Sequence, residues 1–216
     1  MSDDELLKRM ILDELHCDPK VNETDIGVTV SNGAVTLLGH VSSYATKFSA
    51  TDAVKRVRGV KAIGDEIEVN LPTERRRDDS DIAEHIARLL DWNESVSADA
   101  VKAIVSNGNV TLSGEVEFQH QREHIEEQVR HVESVTGIKN RIAVKSKEPA
   151  DNVKKRIEEA LHRSAALASE NVNVSFEGNT ARLDGTVKAF YERDLAERAA
   201  WNVAGVKEVQ NNIIIV

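Results

Sequence analysis

The sequence predicts an α+β protein made of three tandem α-β-β-α-β units, each a three-stranded sheet with two helices packed on one face. Three observations carry that prediction. The 216-residue chain repeats itself: shifted by 75 residues and then by a further 71, its apolar positions fall into register without a gap. Within each copy the apolar spacing changes from four residues to two and back, the mark of helices alternating with half-buried strands. Asn-Gly stands between the two alternating runs of the first two copies, the pair that a two-residue hairpin uses.

Each unit opens with a helix whose apolar residues lie four apart on one face: Leu7, Ile11 and Leu15, then Ile82, Ile86 and Leu90, then Val153, Ile157 and Leu161. Two strands follow, Ile26-x-Val28-x-Val30 and Val35-x-Leu37-x-Gly39-x-Val41 in the first copy. Asn32-Gly33 and Asn107-Gly108 supply the two positive φ angles of a type I′ turn, and Gly178-Asn179 is compatible with the same turn. A second helix turns Ala50, Val54 and Val57 inward, with Ile125, Val129 and Val132, then Ala196, Ala200 and Val203, in the same places. Gly59 and Gly205 lie just past it, where glycine ends a helix in the left-handed conformation; Ser134 takes that place in the second copy and predicts a weaker cap. A closing strand alternates through Ile67, Ile142 or Ile213.

These spacings divide the chain into repeats at residues 1–72, 78–147 and 149–216. The polar stretch from Leu71 to Ser80 is the first linker, with Pro72 ending the strand, and Ser146-Lys147-Glu148-Pro149 is a shorter second one. A short linker favours units that touch, so a fixed arrangement is expected between the second and third repeats.

Composition excludes several classes. The chain is 40% hydrophobic and 30% charged with a net charge of −9, ordinary for a globular protein. One cysteine, Cys17, can form neither an internal bridge nor a cysteine-type zinc site, and its neighbour His16 points away from it on a helix. The acidic balance argues against nucleic acid as a partner: residues 1–72, 81–148 and 149–216 carry −4, −4 and −1, and residues 73–80 are neutral. No apolar run reaches the ~20 residues that cross a bilayer, and the acidic start lacks the order of a secretory signal, so the chain as printed reads as cytoplasmic, or periplasmic if a signal was removed.

The segments Val35-Thr36-Leu37-Leu38-Gly39-His40-Val41 and Val110-Thr111-Leu112-Ser113-Gly114-Glu115-Val116, with the closing run Gly205-Val206-Lys207-Glu208-Val209-Gln210-Asn211-Asn212-Ile213, resemble the BON domain (bacterial OsmY and nodulation). The resemblance covers almost the whole chain. Its glycine near the end of the second strand stands at Gly39, Gly114 and Gly185, while Ala181-Arg182-Leu183 and Ser134 depart from the pattern. The resemblance implies a non-enzymatic module that contacts phospholipid surfaces and serves envelope maintenance or osmotic-stress tolerance. Relatives with two copies are exported to the periplasm. Read physically, Gly39, Gly114, Gly185, Gly59 and Gly205 are structural glycines, places for a bulge, a bend or a close approach of backbone.

Catalytic patterns are few. His120-Gln121-Arg122-Glu123-His124 fits H-x-x-E-H, in which two histidines four apart share a zinc, but the other copies hold Ala45 and Ser49 or Tyr191 and Leu195 there. Solvated histidines explain it without a metal. No nucleophile elbow, Walker loop or G-x-G-x-x-G occurs, so no enzyme activity and no cofactor is expected. The basic residues Lys47, Lys55, Arg56, Arg58 and Lys61, on the second helix of the first copy and its exit, are the candidate lipid-binding set, since anionic headgroups attract such side chains. Lys154-Lys155-Arg156 and Arg75-Arg76-Arg77 are secondary candidates. Among aromatics, Tyr44 and Phe190 begin equivalent helices, and both Trp92 and Trp201 are expected to pack. The leading expectation is a reversible adaptor at anionic phospholipid surfaces under osmotic stress. The alternative is a protein-interaction or chaperone-like stress scaffold that binds partners through sheet edges.

Overall fold

The computed structural model describes residues 3–21, 25–72, 76–93, 100–145, 153–163, 172–203 and 205–216. The second linker (146–149) and Arg75 lie outside the described residues. Among the described residues fifteen elements run in order: α1 (Asp3–Cys17), β1 (Ile26–Ser31), β2 (Ala34–Val41), α2 (Tyr44–Arg56) and β3 (Ala62–Val69). The second set is α3 (Asp79–Asp91), β4 (Val101–Ser106), β5 (Asn109–Val116), α4 (Gln119–Arg130) and β6 (Gly137–Val144). The third is α5 (Val153–Arg163), β7 (Val172–Glu177), β8 (Thr180–Val187), α6 (Phe190–Trp201) and β9 (Glu208–Ile215). The three sheets have the orders β1-β2-β3, β4-β5-β6 and β7-β8-β9, so the predicted α+β triplication stands.

The core of each repeat is the stripe that the spacing assigns to it. Ile11, Leu15, Leu37 and Val54 are fully buried in the first repeat, Ile86, Leu112, Ile125 and Val129 in the second. In the third, Ile157, Leu183, Ala196 and Ala200 are central to one apolar cluster. Burying a branched side chain of this kind is worth roughly 1.5–3 kcal/mol. Each hairpin is antiparallel, pairing Ile26 with Gly39, Val101 with Gly114 and Val172 with Gly185. The last strand of the second and third repeats pairs parallel to the middle one, which the intervening helix permits.

The glycines explain this register. Gly39, Gly114 and Gly185 have φ of 132°, 136° and 147°. A Cβ at Gly39 would collide with the carbonyl oxygen of Asp25, and one at Gly114 with that of Ala100. The strand that enters the hairpin passes where a side chain would be, so only glycine allows the pairing. Past the second helix, Gly59 (φ 89°) and Gly205 (φ 102°) are left-handed, and Ser134 adopts the same hand at φ 67°. The serine offsets its strain through its buried hydroxyl, which accepts the Arg77 N–H at 2.9 Å and so ties the first linker to this turn.

Two repeated devices escape the apolar pattern. The Asp4 carboxylate accepts both turn N–H groups, from Asn32 at 2.9 Å and Gly33 at 3.2 Å; Asp79 does the same for Asn107 at 2.7 Å and Gly108 at 2.9 Å. In the sequence Ala150 holds the corresponding place. The third hairpin differs: its positive φ is at Gly178 (64°), the first central position, as in a type II′ turn rather than the expected I′. The Asn179 side chain instead donates to the Gly205 carbonyl at 2.9 Å. In the closing strands, Asn140 donates to the Arg122 carbonyl (3.4 Å) and Glu126 (2.8 Å), and Asn211 repeats this with Arg193 (3.4 Å) and Glu197 (3.0 Å), fastening strand to helix.

By contact the chain divides into two compact units, one of residues 1–40, 48–68 and 148–216, the other of 41–47 and 69–147. Within the former, the first and third repeats meet: Lys55 Nζ lies 3.1 Å from Asp194 Oδ2, and Gly59 N–H donates to the Lys188 carbonyl at 3.4 Å.

Candidate binding surfaces

The five cations singled out in the first repeat do not act as one patch. Lys55 is paired with Asp194. Arg56 is held by three carboxylates: Nε donates to Glu14 at 2.8 Å, Nη1 to Asp52 at 3.1 Å and Nη2 to Asp18 at 3.5 Å. Partial burial pulls its pKa down, but the Glu14 hydrogen bond and charge, with Asp52 and Asp18, outweigh that and hold the guanidinium above its ordinary value. This side chain joins α1 to α2 and has little charge left to offer. Lys47 sits on the first turn of α2.

Arg58 and Lys61 are placed differently. They lie past α2 and line a groove with Leu6, Met10 and the Asn32-Gly33 turn. Leu6 is 47% and Met10 39% exposed, four residues apart on α1, so they stand on one helical face beside the two cations. Asp4, also in the groove, is occupied by the turn N–H groups.

The remaining candidates are scattered. His120 and His124 are both exposed on α4, with His120 stacked against Phe118 at a ring-centroid distance of 5.4 Å. Glu123, the base of the motif, accepts from Gln119 at 3.3 Å, and no group of three metal-binding side chains is gathered among the described residues. Lys154 and Lys155 face Glu158 (3.7 Å) and Glu159 (3.9 Å) one turn on, and Arg77 faces Glu133 at 3.7 Å. Cys17 is exposed. Trp201 packs on the third core. Trp92 does not pack: it is 86% exposed. It falls off the Ile82–Ile86 stripe, and the buried place at that helix end belongs to Asn93, whose amide donates to Gln128 at 3.0 Å.

Sequence reasoning missed the outer face of the second sheet. Pairing aligns Lys102 with Ser113 and Ser113 with Arg141 in one row, and Ile104 with Thr111 and Thr111 with Lys139 in the next. Lys102, Lys139 and Arg141 are exposed, and none has an ion-pair partner among the described residues. Lys145 joins them, paired with Glu115. Alternation within the strands held the signal, since each cation occupies a solvent-facing place, but a search along single helices could not assemble residues nearly forty apart.

No helix among the described residues is long and apolar enough to cross a membrane. In comparisons with known proteins, Osmotically-inducible protein Y of Escherichia coli (strain K12) is 32% identical over 130 residues, 58% of this chain and 64% of its own length. The chain thus spans just under two thirds of that relative. Two solved structures of CdsD, a structural protein of the type III secretion system of Chlamydia trachomatis, align at 20% identity and a TM-score of 0.28. One alignment covers 98% of this chain and 92% of the other; the second, to the C-terminal domain, covers 100% of each. A family model for the BON domain matches residues 3–70, 78–146 and 149–216, and the chain belongs to the BON domain family.

Proposed function

We propose that this chain is a non-enzymatic, envelope-associated osmotic-stress protein that works as a reversible adaptor at anionic phospholipid surfaces. Family membership and the likeness to an osmotically inducible protein support the stress role. The observation that carries the lipid reading is the groove of the first repeat, where exposed Leu6 and Met10 lie beside Arg58 and Lys61, cations with no ion-pair partner among the described residues. An apolar pair flanked by basic side chains suits a membrane interface: the apolar groups enter the headgroup boundary while the cations meet phosphate. Each cation near such a surface contributes about 1 kcal/mol, too little for permanent attachment, so binding is reversible and tethered modules add to it.

The test is sedimentation with vesicles containing phosphatidylglycerol against vesicles of phosphatidylcholine alone. Pelleting is expected with the anionic vesicles only, and it should weaken as salt rises and the Debye length falls from about 10 Å at 0.1 M. Equal recovery with both vesicle types, or with neither, would sink the proposal.

A further inference from the structure

We infer that the solvent-facing side of the second repeat's sheet is a separate anion-binding face, and that its occupant is the phosphate-bearing surface of an anionic bilayer. This rests on the lipid reading above but locates a second contact in a different repeat. The repeat as a whole is acidic, with 8 basic against 12 acidic residues over positions 81–148. Its topology sorts those charges. Lys102, Lys139, Arg141 and Lys145 all fall on the outer sheet face, with Glu115 the acidic residue among them and paired to Lys145. Acids such as Asp81, Glu84, Glu123 and Glu127 lie on α3 and α4, which cover the opposite face. An acidic module therefore turns a face of net positive charge to solvent. A charged surface orients such a dipole with the sheet towards it.

The layout favours a bilayer over an acidic peptide. The cations stand on both outer strands, and the hydroxyls of Thr111 and Ser113 lie on the strand between them. With strands about 4.8 Å apart, Lys102 and Arg141 are spaced across roughly 10 Å of open sheet. That is a two-dimensional array without a line for one extended chain to follow, whereas laterally mobile headgroups can meet every point of it. Ile104, 66% exposed in the same face, adds an apolar tip for the headgroup boundary. The other repeats lack this array. The first has Gly64, Glu66 and Glu68 in the closing strand, and in the third Arg182 is bonded to Asp184 at 3.1 Å, which also accepts from Asn212.

The test compares the full chain with Lys102→Gln/Lys139→Gln/Arg141→Gln and with Arg58→Gln/Lys61→Gln, titrating phosphatidylglycerol vesicles. All five side chains are exposed, and unchanged far-ultraviolet circular dichroism and urea midpoints confirm folding; a Lys139→Gln/Arg141→Gln double variant stands in if the triple one misfolds. Three cations removed from an anionic surface should weaken vesicle binding by about tenfold to a hundredfold and flatten its salt dependence. A loss below about tenfold in the triple variant, while Arg58→Gln/Lys61→Gln still weakens binding, overturns this inference and leaves the lipid reading standing. Failure of the wild type to bind any anionic vesicle overturns both. If the triple variant keeps its vesicle affinity but loses binding to polyglutamate, the face docks acidic protein and the bilayer assignment falls.

Discussion

The first and second repeats share a scaffold and show solvent different charges from the same places. Where β6 carries Lys139 and Arg141, β3 carries Gly64 and Glu66; where β5 carries Glu115 beside Lys145, β2 carries His40 beside Glu68, at 3.5 Å. Inside, Leu37 and Leu112, Val54 and Val129, and Ile67 and Ile142 occupy equivalent buried places. The difference teaches that the fold is held by one set of positions and the surface chemistry written on another. Alternation along the strands keeps the two sets apart, because successive side chains point to opposite faces.

The sharpest way to break this separation is through the shared glycines. Gly39→Ala and Gly114→Ala should each destabilise their repeat by on the order of 3 kcal/mol, from a strained positive φ together with a collision against backbone that cannot move aside. Gly178→Ala is the control. It too has a positive φ, but a Cβ there meets nothing within 4 Å, so about 1 kcal/mol is expected. Native-state hydrogen exchange, read repeat by repeat, measures all three. Equal costs at Gly114 and Gly178 would show that close approach is not what fixes the glycine.

A smaller effect is expected at the aspartate clasp. Asp4→Ala and Asp79→Ala remove a charged acceptor from two turn N–H groups, and each should cost about 1–2 kcal/mol, alike in both repeats. Chemical denaturation followed by hairpin amide exchange checks this. A large cost in one repeat and none in the other would mean that the scaffolds are less alike than their hydrogen bonds.

How much of this was legible in the sequence follows the same division. Leu7, Ile11 and Leu15 could be placed because burial imposes a period that recurs at fixed offsets. The C-terminal cap at Ser134 was legible only as a departure, since the Arg77 N–H that offsets its strain comes from 57 residues away. Arg56 reads as a free surface charge until Glu14 and Asp18 are brought to it by the packing of α1 on α2. The cations of the second sheet were visible one by one, and became a face only when the register aligned Lys102 with Ser113 and Ser113 with Arg141. Local period is written in neighbouring residues, whereas a surface is written across strands.

The subtlest effect separates scaffold from surface by pH. Asp78 caps α3: its carboxylate accepts the Asp81 N–H at 2.9 Å and the Ser80 hydroxyl at 2.8 Å. The backbone bond from Asp81, then the bond from Ser80, hold its pKa below the ordinary value of 3.8. A carboxyl depressed on folding stabilises above its unfolded pKa, and that contribution is lost as pH falls through the folded value. The first turn of α3 should therefore loosen only as pH falls below the ordinary carboxyl value of 3.8. Asp78→Asn keeps an acceptor at the cap but cannot titrate, so it should flatten that acid limb while leaving neutral-pH stability nearly unchanged. Amide exchange at Asp81 reports the change, and vesicle binding at pH 7 should not move, because the cap lies at a helix end while the sheet cations hold the surface. An acid limb as steep in Asp78→Asn as in the wild type would assign the loosening to another carboxylate.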